Sequence, residues 1–290
     1  MAGVAIVADS NSGITVAEGR SLGVTVVPMP VHIDSEIFYE GKDISQEEFY
    51  ARMLQGADIA TSQPAPGDVL DIWDTVLADH DELVYIPMSA GLSSSCQTAV
   101  GLANDYDGRV QVVDNRRISV TQRASVMDAL ALAEAGHTAK EIKAILEAQA
   151  MDACIYITVD NLKYLRKGGR VSGVEAVAGT MLNIKPVLEI YGEKLNAVDK
   201  VRGMKAARRN MIERVKKDLA GRLKTLYEAG EVNVLIAYSQ VPHDVLESWK
   251  AEVLEAFADE GIIHGEPLTL SIACHTGPGA LGVGAVRKYW

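Results

Sequence analysis

Two pairs of hydroxyl side chains stand where an apolar run gives way to a polar turn. Thr61 and Ser62 precede a proline-stiffened turn, and Ser93 and Ser94 lie in a Gly/Ser-rich turn. Hydroxyls at the start of a helix bind a small anion well, because the unpaired N–H groups and the helix dipole attract the same charge. The spacing of the first pair alone favours an ordinary helix N-terminus, with Pro66 in its first turn.

The turn that contains Ser93 lacks the motifs of two large enzyme classes. It has no Gly-x-x-x-x-Gly-Lys spacing, which a phosphate loop needs, and no Gly-x-Ser-x-Gly nucleophile elbow. We therefore expect this turn to receive a small carboxylate rather than a triphosphate.

His275 and Thr276 lie just after residues 268–273, which are predicted to be a strand. The imidazole can donate to an anion or act as a base. A single histidine beside a turn is more often structural, and the other five histidines lack metal-ligand spacing. No metal site is predicted.

Two arginines are candidates for a second anionic group. Arg170 follows the pair Gly168 and Gly169, and Arg202 lies in a further basic stretch. A guanidinium offers a forked pair of donors to a carboxylate or phosphate, although a lone surface arginine is usually only solvated.

Apolar runs and helix signals predict the elements that carry these residues. Strands are expected at 4–8, 24–31, 83–87, 110–113, 155–159, 186–190, 194–198, 232–238 and 268–273, and helices after 45 and 138 and at 204–228 and 245–260. We predict an α/β fold with a larger N-terminal domain, residues 1–162, whose mostly parallel sheet lies between helices. Residues 163–290 form a smaller α+β domain.

Composition narrows the class of function. Aromatic residues are only 6% of the chain, so a large cavity would be lined by aliphatic side chains, as would an ordinary core. The net charge of −11 disfavours nucleic acid. Residues 163–224 nevertheless carry 16 Lys/Arg against 6 Asp/Glu, which indicates either an anionic ligand, an acidic partner or a solvated helix face.

The chain is expected to work in the cytoplasm. Its three cysteines are dispersed, which is typical of a reducing compartment. The N-terminus does not read as a signal peptide, and no apolar run approaches the ~18 residues that a membrane span needs.

Short motifs occur in the same order as in a known family. They are Ala8-Asp9-Ser10, Thr61-Ser62-Gln63-Pro64, Ile86-Pro87-Met88-Ser89-Ala90-Gly91-Leu92-Ser93, Gly168-Gly169-Arg170, Ile184-Lys185-Pro186, Lys200-Val201-Arg202 and His275-Thr276-Gly277-Pro278-Gly279. The chain thereby resembles the DegV family, and within it the fatty-acid-binding members that serve bacterial fatty acid kinase.

The resemblance implies a fatty acid buried in the interior. Its carboxylate would meet the hydroxyls of Thr61 and Ser93, the main-chain N–H of Ser94 and, nearby, His275. Ser62 and Thr276 are their neighbours and complete the set of ligand-binding candidates. The resemblance places Arg170 and Arg202 toward the kinase, where the acyl phosphate would form.

Two segments depart from the family pattern. Ser94-Ser95-Cys96 stands where Gly-Thr-Tyr is common, so the turn and the cavity are expected to differ. Residues 114–124 carry Arg116, Arg117 and Arg123 where small residues are frequent.

The leading interpretation is a binding protein, not an enzyme, that needs no cofactor and presents a long-chain fatty acid to a separate ATP-dependent kinase subunit. The alternative is an acyl- or phosphoryl-transfer enzyme with Ser93 and His275 as nucleophile and base. The net negative charge disfavours a regulatory or DNA-contacting protein. Acyl chain length and saturation, the oligomeric state, and contact of the basic segment with kinase or membrane are left open.

Overall fold

The computed structural model describes residues 3–169, 171–172, 183–192 and 195–288. Contacts divide them into two compact units. The first comprises the residues up to Ala150 together with Thr269–Ser271, and the second comprises Met151–Leu268 and Ile272–Lys288. The predicted domain boundary at 162/163 stays a prediction, because a division by contacts does not show which segments fold on their own.

The first unit follows the predicted alternation of strands and helices. Its elements are β1 (Val4–Asp9), a 3₁₀ turn (Ser10–Ser12), α1 (Val16–Leu22), β2 (Val24–Val27), β3 (Pro30–Ile33), β4 (Glu36–Tyr39), α2 (Gln46–Leu54), β5 (Ile59–Thr61), α3 (Pro66–Leu77), β6 (Glu82–Ile86), α4 (Ser95–Ala103), a 3₁₀ turn (Asn104–Tyr106), β7 (Val110–Val112), α5 (Val120–Glu134) and α6 (Ala139–Ala148).

The main sheet of this unit is parallel throughout, as predicted, with strand order β2-β1-β6-β7. Its strands are buried on both faces: Ile6 and Ala8 pack in a cluster with α5 and α6, whereas Val7 packs in a cluster with α3 and α4. The chain passes from β1 to β2 on one side of the sheet and from β6 to β7 on the other, so the direction of the connections changes between β1 and β6. Crevices at such switch points, beyond the carboxyl ends of the strands, are where ligands bind in α/β sheets.

The predicted single strand at 24–31 was wrong. Residues 24–27 form β2 of the parallel sheet, and residues 30–33 form β3 of a separate antiparallel sheet with order β4-β3-β5. Pro28 lacks the N–H that a continuous ladder requires, so the chain changes sheets at this point.

The second unit is built on one mixed sheet. Its elements are β8 (Ala153–Thr158), α7 (Leu162–Gly168), β9 (Val171–Ser172), β10 (Ile184–Ile190), β11 (Leu195–Arg202), α8 (Met204–Ala220), α9 (Lys224–Glu228), β12 (Val232–Tyr238), α10 (His243–Ala256), β13 (Ile262–Pro267), α11 (Leu270–Thr276, whose first residues belong to the first unit) and β14 (Leu281–Arg287). The strand order is β13-β12-β14-β8-β10-β11-β9. The helices α8 and α10 bury their apolar sides with this sheet in one core.

Two predictions in the second unit were wrong. The helix expected over 204–228 ends at Ala220, because Gly221 leaves helical geometry and the chain restarts as α9. The segment 268–273, expected to be a strand, begins the helix α11. Among the residues that the structure describes, no helix has the length and apolar character to cross a membrane.

Candidate functional site

The loop from Pro87 to Ser94 lies at the carboxyl end of β6 and is held almost entirely by its main chain. The N–H of Met88 donates to the Asp9 carboxylate, with 2.8 Å between the atoms, and that of Ala90 donates to the Asp114 carboxylate at 3.2 Å. The N–H of Ser89 donates to a main-chain oxygen of the segment after β7. The loop is therefore fixed by two segments of the first unit, the end of β1 and the segment after β7.

Asp9 is the buried anchor of this loop. It ends β1, is fully buried, and accepts hydrogen bonds from Met88, from the main chain of Asn11 and from the side-chain amide of Gln122. Burial raises the pKa of the Asp9 carboxyl to about 6, although these N–H donors act in the opposite direction.

Ser93 and Ser94 differ in how their hydrogen-bonding groups are used. The Ser93 Oγ accepts from the N–H of Ser95 at 3.1 Å, so its own hydrogen remains able to donate. Of the main-chain N–H groups from Met88 to Ser95, that of Ser94 is the one for which no described group accepts. One hydroxyl and one N–H are thus available to an anion at the start of α4.

The turn before α4 does not require a glycine at position 94. Ser94 has φ −70° and ψ −6°, a right-handed helical conformation that any residue adopts. Cys96, in place of the family's aromatic residue, is fully buried in the apolar cluster beneath α4. Burial raises the pKa of its thiol to about 12, so it is neutral.

Gln63 joins the two hydroxyl-bearing loops. Its side-chain oxygen accepts from the hydroxyl of Ser94 at 3.2 Å and from that of Thr98 at 3.0 Å. With the oxygen engaged in this way, the amide NH₂ is left as a donor. The structure therefore brings the predicted pair Thr61 and Ser62 to the same part of the first unit as Ser93 and Ser94.

Thr61 ends β5 and is half-buried, and Ser62 follows it at the surface. The Ser62 hydroxyl lies 2.9 Å from Nε2 of His32, a half-buried residue of β3. Depending on the tautomer, this histidine either donates to Ser62 or accepts from it. His32 was not a candidate in the sequence, because it lacks metal-ligand spacing, and its partner Ser62 is 30 positions away.

A small cleft opens beside these loops, between α3 and α4. It has about 220 Å³ of empty space, which includes open solvent. The lining is mostly apolar with three polar side chains near Ser94, and it consists of Gln63, Pro64, Val69, Tyr85, Ser95, Thr98, Ala99 and Leu102. Tyr85 also makes an edge-to-face contact with the fully buried Trp73, whose ring centroid is 5.5 Å away.

His275 and Thr276 lie at the end of α11, in the second unit. The ring of His275 is half-buried and lies against Gly168 at the end of α7. Thr276 is buried, and its hydroxyl donates back to the main-chain oxygen of Ile272 at 3.4 Å. Their role toward a ligand stays a prediction, as it does for the four hydroxyl residues of the first unit.

The arginines have different surroundings. Arg202 is exposed at the end of β11, and Arg170 lies outside the described residues. Arg117, which looked atypical in the sequence, is a buried structural residue whose guanidinium bonds the main-chain oxygens of Gln149 and Ala150 at the end of α6. Arg123 is similarly occupied by an ion pair with Glu18.

Sequence reasoning missed three side chains that shape this region, namely Asp9 as a buried anchor, Gln63 and Gln122. Gln63 lay within a recognised motif and Asp9 stood at a strand end, but nothing local indicated that Gln122 would contact Asp9. In the part of the chain that the structure describes, no three or more His, Cys, Asp or Glu side chains form a group that could hold a metal ion.

The family model described as "Uncharacterised protein, DegV family" matches residues 3–288. A DegV domain-containing protein from Deinococcus radiodurans is 30% identical over 282 residues, which cover 97% of this chain and 97% of that protein. A solved DegV family protein from Thermus thermophilus, described by its fatty acid binding, is 30% identical with a TM-score of 0.86 and coverage of 98% and 99%. A fatty acid binding DegV family protein from Streptococcus agalactiae has a TM-score of 0.86 at 25% identity, with coverage of 99% and 100%.

Proposed function

The chain belongs to the DegV family, and we propose that it binds a long-chain fatty acid through the carboxylate. Thr61, Ser62, Ser93 and Ser94 of the first unit are the proposed ligands of the head group, and the ligand role of His275 and Thr276 is carried over from the family resemblance. Support comes from the two similar solved proteins that are described as binding fatty acid, and from the chemistry of the loops themselves.

The observation that carries the proposal is the loop at the start of α4. Its other N–H groups from Met88 to Ser95 are engaged within the described residues, while the Ser94 N–H and the Ser93 hydroxyl are left as donors. Donors held in place by the fold bind an anion without the cost of ordering a mobile loop. Hydrogen bonds to a charged group contribute about 1.5–3 kcal/mol each.

The apolar side of the cleft is the proposed entry for the acyl chain. Val69, Ala99 and Leu102 offer aliphatic surface, and burial of each CH₂ contributes about 0.8 kcal/mol. The empty space of about 220 Å³ includes open solvent, so the enclosed part of the cleft is too small for a long acyl chain. A long chain must therefore part α3 and α4.

We infer further that the protein is not itself the catalyst. Forming an acyl phosphate transfers the γ-phosphoryl group of ATP to the carboxylate oxygen and releases ADP. The sequence offers no phosphate loop, so a separate ATP-dependent kinase in the cytoplasm would supply that chemistry. Arg170 and Arg202 are proposed to face this kinase, where a guanidinium can bind the developing phosphate.

The test is extraction of the protein purified from bacteria. Denaturation followed by solvent extraction and mass spectrometry should release a fatty acid, and oleate added to delipidated protein should raise the melting temperature. If no fatty acid is released and oleate leaves the melting temperature unchanged, the proposal is wrong. Hydrolysis of a chromogenic ester that is lost in Ser93→Ala would instead support the alternative of a Ser/His enzyme.

A further inference from the structure

The segment 275–279 of the second unit packs against α7 and against Asp160, two residues before that helix, through three unusually close contacts. We call these contacts the glycine seam. They are Gly168 with His275, Gly277 with Tyr164, and Gly279 with Asp160. A Cβ atom added to each of the three glycines would lie closer than 3.0 Å to its partner. Each contact thus requires that one of the two residues has no side chain.

The seam has a regular geometry. Asp160, Tyr164 and Gly168 are spaced by four, so the two residues within α7 lie on one face of the helix. Their partners run in the reverse order, from 279 to 275. At the 160 end, the Nζ of Lys185 bonds both the Asp160 carboxylate at 2.6 Å and its main-chain oxygen at 2.7 Å. One end of the seam is therefore fixed to β10 and the other end meets the imidazole.

Of the three glycines in the seam, Gly168 is the one that is required only because its partner residue lies so close. Gly277 and Gly279 have φ of +70° and +84°, so any side chain there would also strain the backbone. Gly168 lies within α7 and has no positive φ, and the three atoms nearest to an added Cβ would all belong to His275, the closest being Nδ1 of its ring. A methyl group at 168 would have to displace that ring.

We propose that Gly168 is a positioning residue for His275. Its missing side chain determines where the imidazole lies, and hence the direction in which the ring offers a hydrogen bond to the lipid carboxylate. The inference rests on the proposed function for the identity of the ligand, but the placement of the ring by Gly168 is independent of it.

A double-mutant cycle with Gly168→Ala and His275→Ala tests the proposal. In delipidated protein, Gly168→Ala should shift the ring resonances of His275 and lower the melting temperature. In the His275→Ala background the same substitution should leave the melting temperature unchanged or raise it, because alanine favours a helix over glycine. Oleate affinity should fall about 10-fold or more on Gly168→Ala in the wild-type background, the effect of one lost bond to a charged group. In the His275→Ala background the change should be less than about twofold.

Gly101→Ala is the matched control, because Gly101 lies in α4 with open space around it. It should move neither the His275 resonances nor the affinity. Equal effects of Gly168→Ala in both backgrounds, or unshifted His275 resonances, would overturn the positioning role. If wild-type protein fails to bind oleate, the proposed function is wrong. The His275 ring resonances and the melting temperatures of the four proteins in the cycle still test the role of Gly168 in that case.

Discussion

The side-chain oxygen of Gln63 accepts a hydrogen bond from the hydroxyl of Ser94, with 3.2 Å between the two oxygens. This contact joins the loop after β5 to the first turn of α4, which are 31 positions apart in the chain. A neutral acceptor at this place orients the hydroxyl while leaving an amide donor beside it. The charge state of residue 63 should therefore matter more than its size.

Gln63→Glu should keep the two accepted hydrogen bonds yet add a negative charge beside the lipid carboxylate. We expect its melting temperature to stay near that of the wild type, while oleate affinity falls further than in Gln63→Ala. Isothermal titration of delipidated protein measures the affinities. Tighter oleate binding by the glutamate variant than by the alanine variant would contradict a carboxylate at this site.

Ser93→Ala removes a proposed donor to the carboxylate. The loss should be about 1.5–3 kcal/mol of binding free energy, or about 10- to 150-fold in affinity. Ser21→Ala is the control, because Ser21 is an exposed helical serine in α1 whose hydroxyl bonds only its own helix. An affinity change of the same size in both variants would exclude a direct role for Ser93.

Leu102→Trp should fill the cleft between α3 and α4 and so shorten the preferred acyl chain. Leu102 is half-buried and lines the cleft, whereas Val100 is 41% exposed on the same helix and does not line it. Val100→Trp is therefore the matched control. Mass spectrometry of co-purified lipids should show shorter chains for the first variant only; an unchanged profile would mean that the tail lies elsewhere.

Asp9 should make the folded protein less stable as the pH rises. Its pKa is raised from 3.8 to about 6 in the folded state, so the folded protein binds more protons than the unfolded chain between these values. The free energy of unfolding therefore falls as the pH increases through this window and stays lower above it, by about 3 kcal/mol in total.

Asp9→Asn removes this dependence, although the variant loses an acceptor for the surrounding N–H groups. Between about pH 4.5 and pH 7.5, the stability of the variant relative to the wild type should improve by about 2 kcal/mol in urea unfolding. Asp79→Asn, at an exposed position after α3, controls for the loss of one carboxylate. A flat difference across this range would mean that Asp9 titrates as in the unfolded chain.

Arg202→Ala should separate lipid binding from phosphorylation. Arg202 is exposed at the end of β11, so its removal leaves no buried gap. Oleate affinity should be unchanged, while acyl-phosphate formation with a bacterial fatty acid kinase should decrease. Lys205→Ala, also exposed and three residues away, controls for the loss of a positive charge. Equal loss of binding and phosphorylation would refute the division of roles.

Continuous apolar runs were sufficient to predict β1, β6 and β12, because strands covered on both faces need no polar alternation. The sequence pattern gave the wrong element for α11. Residues 268–272 alternate apolar and polar side chains, which is typical of a strand. The helix forms nonetheless, and the N–H of Leu270 in its first turn donates at 2.8 Å to the carboxylate of Glu40, a residue 230 positions away. No local pattern contains that contact.

The candidate residues of the first unit were predictable for a related reason. Thr61, Ser62, Ser93 and Ser94 stand at loop positions whose side-chain types already suggest anion binding. The groups that orient them, Asp9, His32, Gln63 and Gln122, act across distances of 30 to 113 positions. Such partners depend on the packed fold, so they became visible only in the structure.

Trp73 gives the first unit an optical reporter of its own. The indole is fully buried in edge-to-face contact with Tyr85, which lines the cleft, and with Tyr106. Any ligand that separates α3 from α4 must change the polarity and quenching around this ring. Trp249, buried in the core of the second unit, and Trp290 would emit alongside it. Replacing both by phenylalanine would leave Trp73 as the single tryptophan of the sequence, so that occupancy could be followed by fluorescence without any label.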